Sequence, residues 1–267
     1  MAPIKGFWGN TTATIDWCEE NYVVSSYIAE FWNTISNLAM ILPSLTGLYY
    51  SRKNDFGLTI SLCFLSLALV GVGSWWFHMT LLYEMQLFDE LPMLFGSLVL
   101  VYLMLLILDK RIDRSLMNRF KVIAFLIAYG LVCSFIYLKL KTPILFQTAY
   151  GALVTLMLYF DIKILKQLPC DKKIFWGSIF FYYGGFGLWL VDNFYCDTLR
   201  SVRSSGMLGI FGPVTQLHAL WHFMAGYGAY LHILFCAYTR LIQSQKPGKI
   251  IFNPIVGIVL DKKFKKS

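Results

Sequence analysis

The chain contains 267 residues, 57% of them hydrophobic and only 14% charged, with a mean hydropathy of +0.59 and a net charge of +8. A soluble globular protein has about 25% charged residues, so the composition excludes an ordinary water-soluble enzyme, a disordered protein and a small disulfide-stabilised domain, and leaves an integral membrane protein. The positive charge would also suit a nucleic-acid-binding protein, but a basic cytoplasmic membrane face explains it more simply, and we expect no nucleic-acid partner.

Seven apolar segments are predicted to cross the membrane, since each comes close to the roughly 20 residues that a helix needs to span a hydrocarbon core. In chain order they cover residues 31–50, 58–77, 91–108, 122–138, 143–165, 175–191 and 216–238. The first is the least apolar because four polar residues interrupt it: Asn33, Thr34, Ser36 and Asn37. We therefore expect residues 1–267 to form one all-α bundle of seven transmembrane helices, with an N-terminal segment (1–30) and a basic tail (239–267) outside it.

The distribution of Lys and Arg predicts the orientation of this bundle. Most of the 23 basic residues fall after the first, third and fifth predicted spans or in the tail, at Arg52, Lys53, Lys110, Arg111, Arg114, Arg119, Lys121, Lys163, Lys166, Lys172, Lys173, Arg240, Lys246, Lys249, Lys262, Lys263, Lys265 and Lys266. Because basic loops stay in the cytosol, we expect a cytosolic C-terminus and a lumenal or extracellular N-terminus. Termini on opposite sides require an odd number of spans, which agrees with seven.

The six cysteines divide by predicted location. Cys170 falls in a cytosolic loop and is expected to stay reduced. Three lie inside predicted spans, where small apolar packing residues are expected: Cys63, Cys133 and Cys236. Cys18 and Cys196 both lie on the oxidising side, where two interpretations remain open: a disulfide between the N-terminal segment and the loop after the sixth span, or two free thiols.

Three of the four histidines lie at the non-cytosolic ends of predicted spans. His218 and His222 are four residues apart and share one helix face, and His78 would come from another helix. Two imidazoles at this spacing can bind one metal ion, and three protein ligands plus water are typical of catalytic zinc. The alternative, that each histidine simply bonds a neighbouring helix, is what we expect for His232. For the other three we favour zinc, because ionisable groups within spans are costly and tend to line functional interiors.

Acidic residues lie on the same predicted side as the three histidines. A carboxylate near a zinc site can take the proton of the attacking water; Asp89 is the first candidate for this role and Asp192 the second. Alternatively, Asp89 caps a helix that begins at Leu91, and Asp192 is an interfacial residue. Ser74, one turn before His78, is placed to stabilise an oxyanion, or else bonds back to its own helix.

The N-terminal segment carries a short acidic run with the sequence DWCEEN at residues 16–21, and Glu30 stands at the entrance of the first predicted span. Several oxygen ligands close together suit calcium. The spacing is not that of an EF-hand, however, since the 12-residue loop and its central glycine are missing. From the spacing alone, a solvated acidic segment is the favoured interpretation.

Five segments taken together resemble the signature motifs of the alkaline ceramidases. They are TIDWCEENY (14–22), AEFWNT (29–34), GSWWFHMT (73–80), YEMQLFDELP (83–92) and QLHALWH (216–222). The resemblance extends over most of the chain in consistent order and is greatest to the type-three, phytoceramidase-like branch. The wider superfamily includes adiponectin-receptor-like proteins.

This resemblance implies a seven-helix membrane amidase that cleaves ceramide or phytoceramide into a sphingoid base and a fatty acid. It implies catalytic zinc on His78, His218 and His222, with Asp89 activating the attacking water and Ser74 stabilising the oxyanion. It also implies a regulatory calcium ion, with ligands from Asp16, the Trp17 carbonyl, Glu19, Asn21 and Glu30. Because the acidic run lies on the histidine side, we expect calcium there to order the N-terminal segment over the zinc site. Residence in the endoplasmic reticulum and Golgi, which the family implies, suits a Cys18–Cys196 disulfide.

The main alternative is a seven-helix, zinc-containing lipid receptor or sensor related to the adiponectin receptors. Such receptors place the N-terminus in the cytosol, whereas the basic residues here predict the reverse. A transporter is not favoured, because the sequence indicates neither paired repeats nor discontinuous helices.

Overall fold

The computed structural model describes residues 6–207, 209–245 and 248–262, and this part of the chain is mainly helical. Four of the basic residues named above for the orientation lie outside the described residues: Lys246, Lys263, Lys265 and Lys266. The helices are α1 (Phe31–Ser36), α2 (Leu38–Lys53), α3 (Leu58–Thr80), α4 (Tyr83–Leu108), α5 (Lys110–Arg114), α6 (Leu116–Leu140), α7 (Pro143–Gln167), α8 (Lys172–Phe194), α9 (Cys196–Ser204) and α10 (Leu217–Gln243). A 3₁₀ helix, Gly209–Thr215, precedes α10, and strands β1 (Gly248–Asn253) and β2 (Gly257–Lys262) follow it.

Five of these helices are long and apolar enough to cross a membrane: α3, α4, α6, α7 and α8. The chain is therefore a multi-pass membrane protein. The first predicted span consists of α1 and α2, which meet at Asn37 with a helical backbone (φ −63°, ψ −18°). The last predicted span is α10, which contains three histidines and one arginine and is not among these five. The count of seven spans stays a prediction.

The third predicted span begins earlier than expected. Helix α4 starts at Tyr83 rather than near Leu91, so the alternative in which Asp89 caps a helix is wrong. Pro92 does not end the helix, because its missing N–H costs only the hydrogen bond to the Phe88 carbonyl one turn before. Gly73 of α3 packs directly against that carbonyl, where a Cβ atom would have no room. This close approach brings the next residues, Ser74 and Asp89, together.

The packing of the bundle divides it into a centre and a periphery. Helix α10 packs against α8, α2, α3 and α1, and α3 packs against α4 and α2. Helices α6 and α7 contact mainly each other and α4, and much of their surface consists of exposed apolar side chains such as Phe125, Leu131 and Phe135. In a bilayer such a surface faces lipid at no hydrophobic cost.

The predicted basic tail contains more structure than its charge suggests. Helix α10 continues to Gln243, and β1 and β2 form an antiparallel hairpin in which Gly248 pairs with Lys262. The hairpin packs against α2 and α10, with Val259 and Leu260 buried. The Tyr230 hydroxyl donates a 2.7 Å hydrogen bond to the Ile258 carbonyl, which fixes the hairpin to the middle of α10.

The N-terminal segment lies across the ends of α3 and α4. Leu81 ends α3 in a left-handed conformation (φ 51°), and its carbonyl accepts hydrogen bonds from the backbone N–H groups of Thr12 and Ala13. Farther along, the N–H of Ala29 bonds the Met79 carbonyl, and that of Glu30 bonds the His78 carbonyl. These contacts hold the acidic run beside the histidine-bearing end of the bundle.

Candidate active site

Helices α3 and α10 bring His78, His218 and His222 together. One ring nitrogen from each lies within 4.8 Å of those from the other two, and the ring centroids are separated by 4.6 to 5.2 Å. All three side chains are buried. The four-residue spacing of His218 and His222 within one continuous helix places both rings on the face toward α3.

Hydrogen bonds to Nδ1 orient two of these rings. His78 Nδ1 bonds the Glu30 carboxylate, and His222 Nδ1 lies 3.0 Å from the Asn33 carbonyl oxygen and 2.9 Å from the Ser36 hydroxyl. Acceptors at Nδ1 favour the tautomer with a free Nε2 lone pair, which is how metal-binding histidines are usually held. Together with a nitrogen of His218, these two Nε2 atoms would give the three protein ligands that are typical of a catalytic zinc ion.

The third ring, His218, is held differently. It stacks on the indole of Trp17 at a centroid separation of 4.0 Å, and its Nδ1 is buried without a hydrogen-bond partner. This site explains two of the polar residues that interrupt the first predicted span: the Ser36 hydroxyl bonds His222, and the Asn33 side-chain amide donates to the Glu30 carboxylate. Those interruptions were the one sequence signal for the supporting residues.

Asp89 and Ser74 lie in one cavity with His218 and His222. The Ser74 hydroxyl lies beside the Asp89 carboxylate and interacts with it. The neighbouring acid, Glu90, is engaged elsewhere: it accepts hydrogen bonds from the Tyr137 hydroxyl and from the Gln86 side-chain amide. Both carboxylates line the cavity, but these contacts occupy Glu90, so Asp89 is the better candidate to act on a molecule bound there.

Asp192, the second candidate acid, has a structural contact. Its Oδ1 accepts a 3.3 Å hydrogen bond from the backbone N–H of His218, at the first turn of α10. A carboxylate in this position stabilises the start of a helix and satisfies an N–H group that has no partner within it. Asp192 therefore sets the position of His218 and is not among the residues that line the cavity.

The residues expected to bind calcium are only partly gathered. The Glu19 carboxylate accepts hydrogen bonds from the backbone N–H groups of Trp32 (2.7 Å) and Asn33 (2.8 Å) at the start of α1. The Trp17 carbonyl oxygen accepts a 3.0 Å hydrogen bond from Arg200. Within residues 6–207, 209–245 and 248–262, the acidic side chains of the expected calcium site do not form a close cluster of three or more potential metal ligands.

Two observations nevertheless fit a cation beside Glu30. One Glu30 oxygen and the Asn21 side-chain oxygen are buried without a hydrogen-bond partner. Burial and the neighbouring Glu30 carboxylate raise the pKa of Glu19 to about 8, and Asp16 also interacts electrostatically with Glu30. Oxygen ligands of this kind suit calcium, and a cation there would offset the cost of burying several carboxylates together.

A disulfide joins Cys18 to Cys196 at a Cα–Cα distance of 5.3 Å, so the first of the two interpretations of these cysteines holds in the structure. Arg203 of α9 reinforces the link, since it donates to the Cys18 carbonyl at 2.7 Å and pairs with Glu20 at 3.0 Å. Both contacts fix the N-terminal segment over α9 and beside the histidines.

The cavity that begins at the histidines has a volume of about 620 Å³ and continues to Asp161 and His232. At about 1.5 Å per residue, α10 rises roughly 21 Å from His218 to His232. The walls between these ends are mostly apolar, with side chains such as Met93, Val154, Leu158, Ile179 and Ile233. The cavity thus suits an elongated apolar molecule with a polar group at the histidine end.

Comparison with known proteins assigns the chain to a family. Residues 9–255 match the family model described as Ceramidase. The chain is 43% identical to alkaline ceramidase 3 of Mus musculus over 94% of either chain. It is 33% identical to an alkaline ceramidase of Saccharomyces cerevisiae, covering 90% of this chain and 80% of that protein, and 32% identical to one of Arabidopsis thaliana, covering 90% and 89%. The resemblance inferred from the motifs is confirmed, and the chain belongs to the ceramidase family.

Proposed function

We propose that this chain is a zinc-dependent membrane amidase that hydrolyses the amide bond of ceramides to a sphingoid base and a free fatty acid, with calcium as a regulatory ion. The observation that carries the proposal is the meeting of three buried histidines with Asp89 and Ser74 at one end of a long apolar cavity. The names of the alkaline ceramidase relatives support the choice of substrate.

His78, His218 and His222 would hold the zinc ion through one ring nitrogen each, which is Nε2 in His78 and His222 because their Nδ1 atoms are occupied. Zinc bound there supplies a Lewis acid that polarises the substrate carbonyl and makes water easier to deprotonate. The protein's own contribution is to keep the three rings fixed, through Glu30 at His78, Asn33 and Ser36 at His222, and Trp17 at His218.

Asp89 is proposed as the general base and acid. Its carboxylate takes a proton from the attacking water and returns it to the departing amine of the sphingoid base. Ser74 turns its hydroxyl from Asp89 to the carbonyl oxygen of the substrate, where negative charge develops. One such donor is worth roughly 2.7–4 kcal/mol of transition-state stabilisation.

The cavity determines how the substrate lies. Its apolar walls hold one hydrocarbon chain toward Asp161 and His232, while the amide stays beside the histidines. A lipid of this kind is dissolved in the bilayer, so we propose that it enters sideways between helices rather than from water.

Calcium is proposed to act through Glu30. The family's calcium residues correspond to Asp16, Trp17, Glu19, Asn21 and Glu30, and Glu30 also bonds His78. Calcium bound there would fix the Glu30 carboxylate and the N-terminal segment together. The calcium residues would thereby control the orientation of a zinc ligand.

The proposed membrane topology has seven spans, with α1 and α2 forming the first and α10 the last. The N-terminus is lumenal and the basic C-terminal tail cytosolic, in the endoplasmic reticulum or Golgi. The Cys18–Cys196 disulfide supports this orientation, since it requires an oxidising compartment on the histidine side.

The test is turnover of a set of ceramides by the purified protein and by its His218→Ala variant, together with metal analysis of both. We expect hydrolysis by the unaltered protein, and in the variant loss of hydrolysis together with loss of the zinc ion that the three histidines hold. Bound zinc without hydrolysis of any ceramide would contradict the proposal and favour a lipid receptor.

A further inference from the structure

A second cluster of metal-binding side chains lies at the other end of the cavity, away from the candidate active site. It consists of Asp161 from α7 and of His232 and Cys236 from α10, with one ligand atom from each within 4.8 Å of the others. Cys236 and Asp161 are buried, and the His232 side chain is 16% exposed. His232 Nε2 lies 2.9 Å from a carboxylate oxygen of Asp161.

The spacing of this cluster repeats that of the first. His232 and Cys236 are four residues apart, as are His218 and His222, and the second pair follows the first by about four helical turns. The two pairs therefore lie on nearly the same face of α10. In both places a third residue comes from a different helix, His78 from α3 and Asp161 from α7.

We propose that Asp161, His232 and Cys236 form a second metal site, which binds Zn²⁺. An imidazole nitrogen, a thiolate sulfur and a carboxylate oxygen are the three kinds of protein ligand that zinc takes. Asp161 and His232 line the cavity, so a water molecule there can complete a tetrahedral set. The mixed ligand set distinguishes this site chemically from the one with three histidines.

The burial of the cluster favours a bound cation over a simple hydrogen-bonded pair. A neutral His232 satisfies one Asp161 oxygen but leaves the carboxylate charge without a counter-ion in an apolar setting, which is costly. A protonated His232 would supply that charge at the same 2.9 Å contact but would leave Cys236 outside the interaction. A hydrogen bond between Asp161 and His232 also does not involve the Cys236 thiol, which lies one turn farther along α10. A divalent cation would neutralise the carboxylate and engage the thiolate at once.

Such a site would have a structural role. Helix α7 packs chiefly against α4 and α6. The Asp161–His232 contact joins it to α10 at the end of the cavity opposite the three histidines. A metal ion at this point ties the peripheral helices to the central one and closes the cavity there. The site is separate from the proposed hydrolytic residues and does not depend on the amidase proposal.

The experiment is elemental analysis of the full-length protein purified in detergent with zinc supplied. We expect two zinc ions per chain, falling to one in Cys236→Ser, His232→Ala and Asp161→Asn. Cys133→Ser, which removes a half-buried thiol of α6 outside the cluster, should keep both. A content of one zinc ion in the unaltered protein overturns the inference without reference to any variant.

Cobalt substitution identifies the site that is filled. Only the second site offers a thiolate, so the cobalt-loaded protein should show a thiolate-to-cobalt charge-transfer band. We expect this band to persist in His218→Ala and to vanish in Cys236→Ser. Absence of the band in the cobalt-loaded unaltered protein, or its persistence in Cys236→Ser, contradicts the assignment. Ceramide hydrolysis is measured separately, so failure of either proposal is recognised by itself.

Discussion

The Glu30 carboxylate hydrogen-bonds to Nδ1 of His78, so one buried acid belongs both to the acidic N-terminal segment and to the support of the histidine cluster. Its second oxygen has no hydrogen-bond partner and is available to a cation. Binding of a cation to the N-terminal segment would therefore directly affect the orientation of His78, a proposed zinc ligand. Through this one side chain, the proposed calcium ion and the proposed zinc ion at the three histidines would be coupled directly.

We predict that Glu30→Gln lowers zinc affinity about 10–100-fold, the usual cost of losing a carboxylate that orients a metal-binding histidine. It should also abolish any effect of calcium on activity. Competition with a zinc chelator measures the affinity. Glu84→Gln, at an exposed carboxylate in the first turn of α4, is the matched control and should change neither quantity. Unchanged zinc affinity in Glu30→Gln would show that the contact with His78 does not matter.

Two adjacent acids should respond differently to removal of their charge. Asp89→Asn is expected to lower kcat by roughly 10²–10⁴-fold with zinc content intact, since it removes the proposed proton acceptor. Glu90→Gln disturbs the contacts with Tyr137 and Gln86 and should mainly lower thermal stability. Steady-state kinetics and thermal unfolding on both variants separate the two effects. Equal losses of kcat in the two would argue against a special role for Asp89.

Removal of the Ser74 hydroxyl should slow the reaction without weakening substrate binding. We predict a fall in kcat of about 10²–10³-fold for Ser74→Ala and little change in KM, because the hydroxyl acts on charge that develops only in the transition state. Ser44→Ala is the control, since that hydroxyl bonds the Met40 carbonyl of its own helix. A rise in KM with normal kcat in Ser74→Ala would instead indicate a binding role.

The disulfide should hold the N-terminal segment in place. Replacing both Cys18 and Cys196 by Ser is expected to lower the free energy of unfolding by about 2–5 kcal/mol. It should also expose residues 6–30 to proteases. Limited proteolysis with and without calcium measures this. Cys170→Ser, at a free cysteine of another loop, should leave the cleavage pattern unchanged. Unaltered protease resistance in the double variant would mean that Arg203 and the backbone contacts suffice.

The sequence was sufficient for local features and insufficient for contacts between distant segments. The pairing of His218 with His222 follows from helical spacing alone, and long apolar runs predict α3, α7 and α8 to within three residues at each end, while α6 begins six residues earlier than predicted. The start of α4 was predicted wrongly because Pro92 resembles a helix boundary, and only the packing of Gly73 on Phe88 shows why the helix continues. Likewise, no local sequence pattern predicts the contact of Glu30 with His78 or that of Tyr137 with Glu90, because the partners are 48 and 47 residues apart in the sequence.

The central claim, that zinc on three histidines drives ceramide hydrolysis, is tested most directly by removing and restoring the metal. The protein is reconstituted in bilayers that contain ceramide, stripped with a chelator and titrated with zinc while fatty acid release is measured. We predict that hydrolysis by the unaltered protein disappears on chelation and returns when zinc is added back. In His218→Ala, which lacks a ligand of this zinc ion, added zinc should not restore hydrolysis. Hydrolysis that survives complete removal of zinc, or zinc-loaded protein that binds ceramide without cleaving it, would contradict the account.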